Sequence, residues 1–294
     1  MDMTMRDTYF GTITYRAKED PTICIVTADM SAPGLDEFRT LYPHRYINVG
    51  IAEQAAIQVA CGLALEDMKP IVFAIQPFAS LRCYEQIKVL ASLMNIPITI
   101  VGVGAGFGYA DSGPTHHALE DLAIMRILPH MTVWNPSTPY QAARMAGEAG
   151  KYLQYVRLDR EDLPGMPGEF TDDTLKAGYI AHKGHDKRYI VTTSNMVHRA
   201  LEVAAEVDIG VIEIFRIPAD LTGKLHGMDV IVLEENNIRG GLYSYIAEEG
   251  AGRICGRGLD LSTGYDYVYG GRANIQTHYG LNKESLVKWL KSVL

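Results

Sequence analysis

Cysteine is scarce: there are four in 294 residues, at Cys24, Cys61, Cys83 and Cys255, and no CxxC pair. That spacing excludes a zinc ribbon, a redox dithiol or a disulfide scaffold, and points to reduced thiols in a cytoplasmic protein. No apolar run approaches the roughly 20 residues that span a bilayer, and the opening MDMTMRDTYF carries no apolar signal segment. Membrane and secreted readings are set aside. No dense basic run occurs, and 27 Lys and Arg against 35 Asp and Glu leave a net charge of −8. That balance argues against nucleic acid as the main partner and leaves room for a local basic site, such as one for a phosphate ester. Internal repeats, low-complexity tracts, a P-loop, HExxH and GxSxG are all missing. The nine histidines show no metal-ligand spacing, although His116 and His117 are adjacent.

What is present is a globular balance of 47% hydrophobic and 21% charged residues, enough for a sizeable core. The length suggests about two domains. Short apolar runs at 22–26, 46–49, 71–75, 98–103, 131–134 and 154–158 read as strands. Stretches of helical composition at 52–66, 79–94, 118–127 and 138–149 lie between them. Continuous apolar strands separated by helices predict a parallel sheet covered on both faces. The pattern breaks at 161–187, where Pro164, Gly165, Pro167 and Gly168 precede a polar stretch that reads as a linker. A second alternation follows: strands at 189–193, 210–215 and 229–233, and helices at 195–206, 241–249 and 283–293. The expectation is an α/β protein of two domains, 1–165 and 188–294, joined by a linker at 166–187. Each domain is a mostly parallel sheet flanked by helices.

The glycine-rich segment VGVGAGFGYADSG (101–113) follows a strand and invites a nicotinamide-dinucleotide reading. Its GxGxxG frame does not close. From Gly102 the last position is Phe107, from Gly104 it is Tyr109, and no helical pattern opens there.

Three other segments carry more. NVGIAEQ (48–54) ends a strand and leads into a helix, with Glu53 in the first turn among Val49, Ile51, Ala52 and Ala55. Taken alone, that carboxylate is one favoured by the helix macrodipole. FASLRCYEQ (78–86) and DSGPTHHALED (111–121) follow in order. Together these segments resemble the transketolase and 1-deoxyxylulose-5-phosphate synthase superfamily, which uses thiamine diphosphate. The stretch from Arg6 to Arg160 resembles its pyrimidine-binding domain. The remainder, with EENNIRGGL (234–242) and HYGLN (278–282), is similar to the family's C-terminal domain.

The resemblance implies roles that chemistry can rationalise. The cofactor supplies the electron sink, and a carboxyl group at the pyrimidine ring nitrogen drives the tautomer shift that makes an internal base. Such a group must exchange a proton near neutral pH, which calls for an apolar pocket. Glu53 matches that glutamate. Phe78 matches the aromatic residue packed on the pyrimidine. Arg82, Tyr84, Ile51 and Asp29 are expected to line the cofactor pocket. His116 matches the histidine of the family's Gly-Pro-Thr-His loop, which faces the reacting carbons and handles protons there. His117, Asp111 and Ser112 sit beside it as expected substrate contacts. Arg160 and Arg6 match arginines that hold a sugar phosphate, which a guanidinium fork suits.

Departures accompany the match. Gly104 stands where transketolases proper carry a histidine. Ser112 stands where an aspartate reads the donor hydroxyl, and His117 where the family usually has Gln. Asn236 and Asn237 follow Glu235 where Glu-Glu-His is usual. The Gly-Asp-Gly motif with a downstream Asn, which holds Mg²⁺ and the diphosphate in the family, does not occur, and a hard cation wants such oxygen ligands. The resemblance therefore implies the C-terminal subunit of a split transketolase. A separate subunit would bring the diphosphate and Mg²⁺ site, and a dimer of this chain would be flanked by two partner chains. The expected reaction is transfer of a two-carbon ketol unit between sugar phosphates or related carbonyl compounds. A pyruvate-dependent carboligase, as in deoxyxylulose phosphate synthesis, and a non-catalytic assembly or regulatory subunit are the alternatives. The β chains of 2-oxo-acid dehydrogenases share the domain order but fit the signatures less well.

Overall fold

Residues 4–165 and 170–294 are described by a computed structural model. The apolar runs do become strands: β1 (Ile23–Thr27), β2 (Tyr46–Asn48), β3 (Lys69–Ile75), β4 (Thr99–Val103), β5 (Thr132–Trp134) and β6 (Gln154–Leu158). They lie in the order β5-β6-β4-β3-β1-β2, all parallel. Every residue of β1, β4 and β6 is buried, as expected where helices cover both faces.

Local chemistry sets where the helices begin. The Thr4 hydroxyl accepts from Asp7 N (3.0 Å) to open α1 (Met5–Arg16). Thr138 does the same for Gln141 N (3.2 Å), and Pro139 sits where its missing N–H costs nothing. Helix α1 packs against α2 (Pro33–Leu41) and against the helix Pro139–Ala146. Helix α3 (Glu53–Leu65) lies on β3 and β1. The helix expected at 79–94 is broken. A short α4 (Gln76–Ala79) is followed by a 3-10 turn at Leu81–Cys83, one α turn at Tyr84–Gln86 and wider π turns at Ile87–Ser92.

The second sheet contains β7 (Tyr179–Lys183), β8 (Arg188–Thr192), β9 (Gly210–Ile214), β11 (Asp229–Asn237) and β12 (Arg253–Leu259). A two-residue strand, β10 (Arg216–Ile217), lies between β9 and β11 in the chain. The sheet order is β12-β11-β8-β9-β7, parallel except that β7 runs antiparallel to β9. Helices Met196–Ala204 and Lys283–Val293 supply Met196, Ala200, Leu286 and Leu290 to a core with Ile190, Val211, Ile231 and Leu233. Burying each such large side chain contributes about 1.5–3 kcal/mol.

The linker reading needs correction. Its first residues, 166–169, lie outside the described residues, but Asp172–Ala177 is helical, with its N-terminus capped by Thr171, and β7 pairs with β9. Tyr179 and Ile180 are half-buried, which gives this polar-looking stretch an apolar component. Contacts group residues 1–105 and 124–166 as one compact unit, and 106–123 with 167–294 as the other.

Candidate active site

In an open parallel sheet, ligands bind beyond the carboxyl ends of the strands. On the first sheet those ends present Asp29 after β1, Glu53 after β2, Phe78 after β3, Gly104 after β4 and Arg160 after β6. Asn48 ties two of these loops together: its side-chain oxygen accepts from Asp29 N and Gly50 N, each at 2.9 Å. Both loops take left-handed turns, with Asp29 at φ 50° and Gly50 at φ 75°. The sequence reading did not single out Asn48; an Asn at a strand end before Gly was the available signal.

Glu53 opens α3, whose N-cap Ala52 offers no side-chain oxygen, so its carboxylate is placed at the positive end of the helix. It is buried, with only 6% exposed. Arg82 Nη1 donates to Glu53 Oε1 at 2.8 Å. The same guanidinium lies over the Phe78 ring, its central carbon 3.9 Å from the ring centroid. Gln54 Nε2 donates to Arg82 O at 3.1 Å and steadies the turn that carries the arginine. Behind them, Cys83 Sγ donates to Phe78 O at 3.0 Å. Burial, together with the nearby Glu53 charge, pushes that thiol up to about 12, so it stays protonated and inert. Tyr84 is half-buried, and burial raises its hydroxyl above the usual range.

Glu53, Arg82 and Phe78 thus form one cluster. A flat nitrogen heterocycle needs two contacts, an apolar face and a carboxyl at its edge. The guanidinium, itself flat and nitrogen-bearing, makes both, so these residues fit the pyrimidine half of thiamine diphosphate. Ile51 and Asp29 are exposed. Arg6, in the first turn of α1, pairs with its neighbour Asp7 at 2.9 Å, and Arg160 is exposed. Among the described residues no group of three or more His, Cys, Asp or Glu side chains is placed to hold a metal ion.

The Gly-Pro-Thr-His segment belongs to the second unit. His116 is half-exposed, its Nδ1 2.9 Å from Thr115 Oγ1 and its ring 6.1 Å from that of Tyr109. His117 points inward. It is buried, its ring meets Phe107 edge-on at 5.0 Å, and its Nε2 lies 3.2 Å from Ala110 O. Burial holds it below the usual histidine range, so it is neutral at pH 7. Asp111 Oδ1 accepts from Gly271 N (3.1 Å) and Gly270 N (3.0 Å), which lowers its pKa and binds the segment to the loop before the helix Arg272–His278. Ser112 is exposed.

The anchors of this segment were missed from sequence. They stand at the end of β11. Glu235 Oε2 accepts from Phe107 N at 3.1 Å, Asn236 Nδ2 donates to Ala118 O at 3.0 Å, and Asn237 N donates to Leu119 O at 2.9 Å. Glu235 in turn binds Arg272 (Nε to Oε2, 3.0 Å) and Gln276 (Nε2 to Oε1, 2.7 Å). Glu234 accepts from Leu242 N and Tyr243 N and so caps the next helix. Two acids closing an otherwise apolar strand were the signal for this work.

Residues 1–165 match the family described as transketolase, pyrimidine binding domain. The chain belongs to that family. Membership of that family implies dependence on thiamine diphosphate. The chain is 28% identical over 286 residues to one subunit of the apulose-4-phosphate transketolase of Actinobacillus succinogenes, covering 90% of this chain and 89% of that protein. It is 32% identical over 254 residues to the 1-deoxy-D-xylulose-5-phosphate synthase of Crocosphaera subtropica, covering 81% of this chain but only 40% of that protein. A solved structure, described as an inactive β4 tetramer of a split-gene transketolase, superposes with TM-score 0.83. It is 26% identical and matched over 99% of this chain and 98% of that one. Among the described residues no helix is long and apolar enough to cross a membrane.

Proposed function

We propose that this chain is the pyrimidine-binding subunit of a split transketolase that moves a two-carbon ketol unit between sugar phosphates or related carbonyl compounds. The observation that carries the reading is that the buried Glu53 carboxyl and the Phe78 ring share one flat cationic partner, the Arg82 guanidinium. When bound, thiamine diphosphate supplies a nucleophilic carbon and an electron sink. The chain's part is to prepare it. Glu53 holds a proton at the edge of the pyrimidine, and Phe78 fixes the plane of the ring. Tyr84, Ile51 and Asp29 border the pocket. His116 donates to, or takes a proton from, the substrate oxygen, while Arg160 and Arg6 hold its phosphate. Ser112 sets the reading of the donor hydroxyl. Asp111 and His117 act through the loop that they shape.

A second subunit brings the diphosphate and Mg²⁺ site. The chain pairs with itself, and the assembly is an α2β2 heterotetramer. Leu65, Leu81, Val89, Leu93 and Met94 are large apolar side chains exposed on the first unit, of the kind that a partner subunit covers. Four free thiols suit the cytoplasm as its location.

The test combines the purified chain with a diphosphate-binding transketolase subunit, thiamine diphosphate and Mg²⁺, and follows ketol transfer from a ketose phosphate. Glu53→Ala is expected to lower turnover by about 10²–10⁴-fold, the range for a lost general acid–base group. Equal turnover in both proteins overturns the reading. The similarity to a deoxyxylulose phosphate synthase supports a second reading, a carboligase with pyruvate as donor. Release of CO₂ from pyruvate by the same mixture, without ketol transfer, would select it.

A further inference from the structure

We propose that Arg82 is a displaceable placeholder for the heterocycle: its guanidinium and the pyrimidine compete for one place between the Glu53 carboxylate and the Phe78 ring. The inference rests on the reading of Glu53 and Phe78 as pyrimidine contacts. Stacked carbon atoms sit about 3.5–4.0 Å apart at best, and the guanidinium is already 3.9 Å from the Phe78 ring centroid. A ring slipped between them needs about twice that spacing, so ring and guanidinium exclude each other on this face.

The asymmetry of burial identifies the group that moves. The Glu53 side chain is 7% exposed and that of Arg82 is 42% exposed. The Arg82 backbone is held by Gln54, so only its side chain needs to swing outward. A buried carboxylate left without a partner is costly, and the guanidinium compensates it whenever no ring is present. The exchange therefore swaps an ion pair for a hydrogen bond in which the Glu53 carboxyl, having taken up a proton from solvent, donates to the ring nitrogen. A flat apolar ligand without nitrogen at its edge would break the ion pair and return nothing. Arg82 in this way adds selectivity for a nitrogen heterocycle to a pocket whose apolar face alone has little.

The test titrates the full chain with thiamine, which carries the pyrimidine but no diphosphate. Binding is followed by ligand-observed NMR, and the Arg82 side chain by ¹⁵N NMR. Arg82→Met is expected to bind thiamine about tenfold more tightly than wild type, the factor that about 1.4 kcal/mol of lost competition corresponds to. Arg82→Lys, which keeps the charge without the flat stack, is expected between the two. In wild type the Arg82 side-chain NH signal is expected to pass from slow to fast solvent exchange as thiamine saturates. Equal or weaker binding by Arg82→Met, or an unchanged Arg82 signal at saturation, overturns the proposal. Phe78→Ala separates the two ideas. If it weakens thiamine binding while Arg82→Met does not strengthen it, the pyrimidine reading stands and the placeholder fails. If it leaves binding unchanged, both fall.

Discussion

Replacing Arg272 with Met tests how the His116 segment is held. Glu235 and Arg272 have side chains only 2% and 4% exposed and are bonded through Arg272 Nε and Nη2. Removing one partner of a buried pair costs about 3–5 kcal/mol, because the other charge stays behind. Gln276 Nε2 and Phe107 N still donate to Glu235, which places the expected loss near the lower end, about 3 kcal/mol. The two tryptophans allow a local readout, since Trp134 lies in β5 and Trp289 in the C-terminal helix. In a Trp134→Phe background, Trp289 fluorescence reports the second unit alone. With a urea slope of about 2–3 kcal/mol per M, the midpoint should fall by about 1 M. Adding Glu235→Gln removes the stranded charge, and the double variant should recover at least about half of the loss. Hydrogen exchange at Phe107 N should quicken in Arg272→Met ahead of that in the strands. A midpoint within about 0.2 M of wild type would mean that the pair contributes no more than an exposed one.

Two further outcomes follow from the same geometry. His117 is held neutral by burial, so its folded pKa lies below its unfolded value near 6.5. The unfolded chain then binds the extra proton first, and this contribution to stability is complete above that value and lost as pH falls below it. His117→Gln, which cannot titrate, should flatten the urea midpoint between pH 7 and pH 5 relative to wild type; an unchanged slope would contradict the burial argument. Asp111→Ala removes the acceptor for two amides, and hydrogen exchange at Gly270 and Gly271 should speed up by about tenfold or more. Unchanged protection there would mean that the loop is held by other contacts.

Much of the scaffold was legible because buried parallel strands are written as short apolar runs; β1 to β6 fall within a residue or two of their expected places. β12 was not legible: its sequence RICGRGL mixes arginine and glycine into an edge strand that is mostly half-buried. The helix Arg272–His278, RANIQTH, has no apolar stripe, and it exists to carry Arg272 and Gln276 to Glu235. The expected helix at 79–94 fails at its start, where the chain instead brings Arg82 onto both Glu53 and the Phe78 ring.

The site was legible residue by residue but not as an arrangement. Glu53 and Arg82 stand 29 positions apart, and Glu235 and Arg272 stand 37 apart. No periodicity relates such pairs; only the fold does. The glycine-rich stretch at 101–113 now has a physical explanation. Gly106 sits at φ 57°, and a Cβ there would run into the Glu235 carboxylate, while one at Gly102 would meet Gln76. Those glycines permit close approach of neighbouring side chains rather than of a dinucleotide phosphate.

Glu53 is proposed to set the protonation of a bound pyrimidine. Hydrogen–deuterium exchange at thiamine diphosphate C2, followed by NMR in a mixture of this chain with a diphosphate-binding transketolase subunit, measures this. Wild type is compared with Glu53→Gln, which keeps the shape and loses the titrating group. Exchange should slow by about 10² or more in the variant while the cofactor remains bound. Equal exchange rates in the two proteins at full occupancy would mean that Glu53 does not set it.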